Sequence, residues 1–115
     1  MTVQELMALA QARELTPGLA LDGGVTCGYV CDLLSWVMAR GQAGMAWVTV
    51  QTHMNVVAVA SLHEMACVIL PDGILMDEAP LEKAREEGIV VLSSQLSAYE
   101  LCGLMYAGGL AAPAR

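Results

Sequence analysis

The sequence predicts one α/β domain built on a mostly parallel sheet with helices on both faces. Short apolar runs rich in strand-forming residues alternate with segments of helical periodicity, and turns containing Gly or Pro separate them. This alternation favours parallel strands joined by right-handed crossovers. The chain is also 57% hydrophobic and only 15% charged, as expected when strands are covered on both faces. Its 115 residues suit a single domain, which we place at residues 1–110.

The first predicted element is a helix that begins at a capping box. The Thr2 hydroxyl can accept a hydrogen bond from the backbone of Glu5, and the Glu5 carboxylate can return one. The apolar residues at helical spacing after this point are Val3, Leu6, Met7 and Ala10. Between the turns that follow, residues 19–21 predict at most a short strand.

A strand, a helix and a second strand are predicted next. Residues 25–30 are small and apolar, and residues 33–40 form the helix, with Asp32 as its expected cap. The clearest strand by β-branched content covers residues 47–50.

The segment after that strand is compatible with two structures. Asn55 can cap a helix that runs to about residue 65, yet residues 56–59 are rich in strand formers. The alternative is a hairpin that pairs residues 47–51 with residues 56–60. Its length and the Asn cap favour the helix.

The second half of the chain predicts two more strands and two more helices. The strands are Cys67–Leu70 and residues 89–92, and the helices are Glu78–Glu87 and a segment that starts at the capping box Ser97-Ala98-Tyr99-Glu100. Gly88 is the expected stop of the first of these helices. Residues 111–115 are expected to form a flexible C-terminal tail.

Charge and hydropathy argue against several classes of function. The net charge of −7 and the lack of a basic stripe disfavour nucleic-acid binding. No unbroken apolar stretch of about 20 residues predicts a membrane span, and no secretory signal is recognised. We therefore expect a cytoplasmic protein whose four cysteines are free thiols. The apolar excess predicts a surface for a homodimer or a partner protein.

Polar residues follow each predicted parallel strand and would meet at one edge of the sheet, which we call the carboxyl rim. Ligands of open α/β sheets bind at this edge. The candidate ligand-binding residues are Asp32, Ser35, Thr52, His53, Asn55, Asp72, Gly73, Ser93, Ser94 and Ser97. For Asp32, Asn55 and Ser97, helix capping alone is a sufficient explanation and is the favoured one.

The sequence assembles no catalytic set. Phosphate-binding loops, dinucleotide-binding glycine motifs and the hydrolase nucleophile elbow are missing, and no metal site or cofactor is predicted. His53 is the one rim residue expected to titrate near neutral pH, so a small enzyme with His53 as general base is an alternative. A non-catalytic regulatory module that binds a small ligand is favoured, and a pure interaction scaffold is a third possibility.

Two segments resemble the DRTGG domain family, above all its short stand-alone bacterial members. They are Gly28-Tyr29-Val30-Cys31-Asp32-Leu33-Leu34-Ser35-Trp36-Val37-Met38 and Thr52-His53-Met54-Asn55-Val56-Val57-Ala58-Val59-Ala60. The family also occurs in CBS-domain pyrophosphatases and is similar to the N-terminal domain of HPr kinase/phosphorylase. The resemblance implies a small α/β sandwich that forms dimers, has a regulatory role, and is linked in stand-alone members to anaerobic redox and hydrogenase systems.

The chain departs from that family at the residues for which it is named, an Asp, an Arg and a Thr-Gly-Gly. Thr52, His53 and Asn55 stand where the Asp and Arg are expected, and Pro71-Asp72-Gly73 stands where Thr-Gly-Gly is expected. Only the glycine is kept, so no ligand role of those family residues transfers to this chain.

Overall fold

The computed structural model describes residues 1–115 and contains five helices and five strands. In chain order these are α1 (Val3–Leu9), β1 (Ala12–Glu14), β2 (Cys27–Val30), α2 (Leu34–Arg40), β3 (Met45–Val48), α3 (Met54–Leu62), β4 (Cys67–Leu70), α4 (Glu78–Glu87), β5 (Val90–Ser94) and α5 (Ala98–Ala107). The longest helices have ten residues, and none is long and apolar enough to cross a membrane.

The strands form one sheet in the order β1-β5-β4-β3-β2. Strands β2 to β5 are parallel, and only β1 is antiparallel to its neighbour, β5. The predicted fold class is therefore confirmed. The hairpin alternative is wrong, because β3 has parallel neighbours on both sides and residues 54–62 form α3.

The core lies on both faces of this sheet. Trp47 and Val68 point to a layer that contains the buried sides of α2, α3 and α4. Val48 and Ile69, the next residues along the same strands, point to a layer that contains α1 and α5. Every residue of β3, β4 and β5 is buried, which explains the high apolar content of the chain.

The two predicted capping boxes are present. Thr2 and Ser97 each accept a hydrogen bond from the glutamate three residues later, and each glutamate carboxylate accepts one in return. These bonds lower the pKa of Glu5 and Glu100 below the ordinary value, with the backbone N–H of the capping residue as the largest cause.

Two other predicted caps are wrong. Helix α2 follows Leu33 without a side-chain cap, because the Asp32 carboxylate bonds to the loop after β3 instead. Helix α3 is capped by His53, whose Nδ1 accepts a hydrogen bond from the backbone of Asn55 at 3.0 Å. Asn55 therefore lies inside the helix rather than at its cap.

Strand β1 was not predicted from the sequence. Residues 19–21, for which at most a short strand was predicted, form no strand. The three residues of β1 are Ala12, Arg13 and Glu14, which carry no strand signal of their own. They pair with residues 92–94 of β5. The Ser94 hydroxyl also donates to the Ala10 carbonyl oxygen at 2.7 Å, so contacts distant in sequence hold this strand.

The C-terminal residues lie against β2. The Gly28 N–H donates to the Ala111 carbonyl oxygen at 2.9 Å. The Gln42 side-chain amide donates to the Ala114 carbonyl oxygen and accepts from the Ala114 N–H. These bonds give residues 111–115 a defined position, while the flexibility expected for them stays a prediction.

Replacing Ser97 by Ala removes the hydroxyl that caps α5 and should lower the free energy of unfolding by about 1 kcal/mol. Chemical denaturation measures the change. Ser35→Ala is the matched control, because Ser35 is exposed and makes no side-chain hydrogen bond, and it should change stability by less than about 0.5 kcal/mol. Equal losses in both variants would contradict the capping role.

Candidate functional site

The predicted carboxyl rim exists, since β2 to β5 run in the same direction and end at one edge. Its hydrogen bonds form two groups. One joins the loop after β2 to the loop after β3 through Asp32. The other joins the loop after β4 to the end of β5 through Ser93 and Ser94.

Asp32 fastens the loop after β3 to the end of β2. One carboxylate oxygen accepts from the Thr49 hydroxyl at 2.8 Å and from the Val50 N–H at 2.9 Å. The Asp32 carbonyl oxygen accepts from the side chain of Gln51 at 3.1 Å. Since Thr49 is buried, this carboxylate satisfies a hydroxyl that water does not reach.

The serines at the end of β5 also have structural partners. Ser93 donates to the Ile74 carbonyl oxygen at 2.7 Å, and Ser94 donates to Ala10 and accepts from the Leu96 N–H. Both serines are buried. Their hydroxyls hold neighbouring segments against the sheet.

Asp72 and Gly73 form a left-handed turn after β4, with φ of 56° and 68°. Their N–H groups donate to the carbonyl oxygens of Leu96 and Ser94. A Cβ on Gly73 would lie 2.8 Å from Oε1 of Gln95. Glycine therefore suits both the backbone angle and the close approach at this position.

His53 has a structural contact as well. Because Nδ1 accepts the Asn55 N–H, the neutral ring carries its hydrogen on Nε2 and keeps no free lone pair for a general base. The side chains of Ser35, Thr52 and Asn55 make no hydrogen bond and are wholly or partly exposed. The exposed Asp72 carboxylate also has no hydrogen-bond partner. These four side chains are rim groups free to contact a ligand, and ligand binding at the rim stays a prediction.

A second concave surface, which we call the β2-side groove, lies at the opposite side of the sheet from β1. It has a volume of about 650 Å³. Its walls come from β2 (residues 28–30), from α2 and the turn after it (36 and 39–42), from α5 (102, 105 and 106) and from residues 110–115. The sequence did not predict this groove.

The groove combines aromatic and cationic groups. The Arg40 guanidinium lies 4.9 Å from the ring centre of Trp36, a cation–π distance. Tyr29, Tyr106 and Arg115 also line the groove, and none of its residues is Asp or Glu. Partial burial raises the pKa of the Cys102 thiol at the groove wall, so this cysteine is a poor nucleophile at neutral pH.

Close packing of β2 against α5 shapes the groove floor. A Cβ on Gly28 would lie 2.9 Å from the Met105 side chain and 3.3 Å from that of Leu110. The absence of a side chain at Gly28 lets both apolar residues approach the strand. In the sequence, the features near the groove are Gly28 and the i, i+4 pair of Trp36 and Arg40. The other walls come from α5 and the C-terminal residues, which lie more than 60 positions away.

The chain has the fold of a small α/β domain with one mostly parallel five-stranded sheet. It is similar to the crystal structure of the CBS and DRTGG domains of the regulatory region of Clostridium perfringens pyrophosphatase, complexed with the activator diadenosine tetraphosphate. The TM-score is 0.69 at 10% sequence identity. The match covers 90% of this chain and 45% of that one, so this chain spans less than half of its length.

Neither a protein-family model nor a curated protein sequence matches the chain. At 10% identity the structural match supports the DRTGG/CBS-like fold expected from the sequence and carries no residue roles with it.

Replacing Asp32 by Ala should lower the free energy of unfolding by about 1–3 kcal/mol, because the buried Thr49 hydroxyl and the Val50 N–H lose their acceptor. Denaturant titration measures the loss. Asp22→Ala removes an exposed carboxylate without hydrogen bonds and should have little effect. A neutral outcome for Asp32→Ala would contradict the fastening role.

Proposed function

We propose that this chain is a non-catalytic regulatory module of the DRTGG type that binds a small ligand and forms a homodimer. The β2-side groove carries the proposal. Ligand sites are commonly preformed clefts of about 300–1,000 Å³ with mostly apolar walls and a few polar groups. The groove has a volume of about 650 Å³ and fits this description.

The chemistry of the side chains supports binding rather than catalysis. His53 uses its Nδ1 to cap α3, which weakens the case for a general base there. Burial raises the pKa of the Cys67 thiol to about 12 and also raises the pKa of Cys27 and Cys102. Thiols with raised pKa values are poor nucleophiles at neutral pH.

The structural neighbour supports a regulatory role. That pyrophosphatase region is a regulatory region and is complexed with a nucleotide activator. A small ligand of this chain, such as a nucleotide or another anion, is consistent with that likeness. A cytoplasmic location and a link to anaerobic redox or hydrogenase systems remain part of the proposal through the DRTGG resemblance.

Exposed apolar side chains support self-association. Val30 and Leu33 are 47% and 62% exposed and lie at the end of β2 and just before α2. We call them the Leu33 patch. Adjacent exposed apolar residues mark interaction surfaces.

A ligand that binds the native state must raise the melting temperature, by an amount equivalent to about 2.7 kcal/mol at one hundred times its Kd. We expect at least one compound in a panel of nucleotides, nucleosides and small anionic metabolites to stabilise the protein in a thermal-shift assay. Isothermal titration should then give a saturable isotherm. A flat response across the whole panel would contradict small-ligand binding and favour an interaction scaffold.

Leu33→Glu should convert the proposed dimer into a monomer, because it would bury an unpaired carboxylate in each half of the interface. Sedimentation velocity at micromolar concentration measures the change. Leu75→Glu is the control, since Leu75 is 56% exposed and follows β4 rather than β2. Wild-type protein that sediments as a monomer would remove the dimer from the proposal, and a dimer that persists in Leu33→Glu would place its interface elsewhere.

A further inference from the structure

We propose that the ligand of the β2-side groove is an anion that carries a planar ring, of the size of a mononucleotide. This inference rests on the proposed regulatory function and assigns its site and ligand class. Three properties of the groove lead to it, namely the distribution of charge, the exposed aromatic rings and the hydrogen bonds of Gln42.

The charge distribution favours an anion in the groove. The chain has 12 acidic and five basic residues, and two of the five, Arg40 and Arg115, line the groove. No acidic residue lines it. Lys83 and Arg85 instead form ion pairs with glutamates of α4. Arg40 forms no ion pair, so it offers an anion a cationic partner in the groove.

The aromatic residues favour a planar ring. Trp36 is about half exposed beside Arg40, and Tyr106 is largely exposed at the opposite wall. Such side chains stack against bases whatever their identity. Arg40 lies close enough to Trp36 for one ligand to contact both the guanidinium and the indole ring.

The Gln42 amide supplies the matching polar contact. It donates one hydrogen bond to the backbone of Ala114 and accepts another from it. A glutamine amide makes the same donor–acceptor pair with a base edge such as N6 and N7 of adenine. The Ala114 backbone therefore occupies the position that a base edge would take at Gln42. A bound nucleotide would displace residues 111–115 from this position.

ADP is the probe for this inference. Adenosine, which lacks the anion, and inorganic pyrophosphate, which lacks the ring, are the comparison ligands. ADP should bind saturably and change the tryptophan emission, whereas adenosine and pyrophosphate should each bind at least about tenfold more weakly. Trp36→Phe should abolish the emission change, because the remaining Trp47 is fully buried. Pyrophosphate that binds as well as ADP would overturn the ring requirement.

Arg40→Gln should weaken ADP binding about tenfold or more, the effect of losing one charge-assisted contact. Arg13→Gln removes the same charge from β1, at the other end of the sheet, and should leave the ADP affinity unchanged. Circular dichroism and melting temperature verify that both variants fold.

The outcomes separate this inference from the proposed function. Equal ADP affinity in wild type and Arg40→Gln would overturn the site. No ADP binding at millimolar concentration, with stabilisation by another compound of the panel, would overturn the ligand class and leave the regulatory function standing. Failure of ADP and of the whole panel would overturn both.

Discussion

The parallel pairing of β2 to β5 is the constraint on which the rest of the structure depends. Parallel strands need crossover connections, and in this chain the crossover helices α2, α3 and α4 cover one face of the sheet, while α1 and α5 cover the other. The inner strands therefore have no solvent-facing side, and runs such as Cys67–Leu70 are entirely apolar. The unusual hydrophobic content of so small a chain is largely a property of these strands.

The same arrangement distributes polar groups between two surfaces. At the carboxyl rim, Asp32, Ser93 and Ser94 hold the loops and segments that leave or flank the sheet. Those hydrogen bonds occupy many of the donors and acceptors that a ligand at the rim would need. At β2 the sheet ends, and α2, α5 and the C-terminal residues leave an open concave surface beside it. Exposed aromatic and cationic groups collect there because no further layer covers the edge.

Local patterns were sufficient to predict the fold class and most elements. The bounds of Cys67–Leu70 and Glu78–Glu87 agree with the structure, as do both capping boxes, because apolar runs, caps and a terminal glycine act over a few residues. Asp32 was misassigned because its partners lie 17 and 18 positions ahead. The three-residue strand β1 and the β2-side groove depend on contacts of still longer range, for which a sequence pattern offers little signal.

The placement of β1 has a consequence for the order in which the molecule assembles. Its partner residues in β5 lie about 80 positions later in the chain, and Thr16 likewise accepts from the N–H of Val91. Pairing across such a separation carries a large loop-closure entropy. During synthesis on the ribosome, residues 10–16 thus emerge early but have no partner strand until β5 has been translated, and we expect them to join the sheet among the last segments to become ordered.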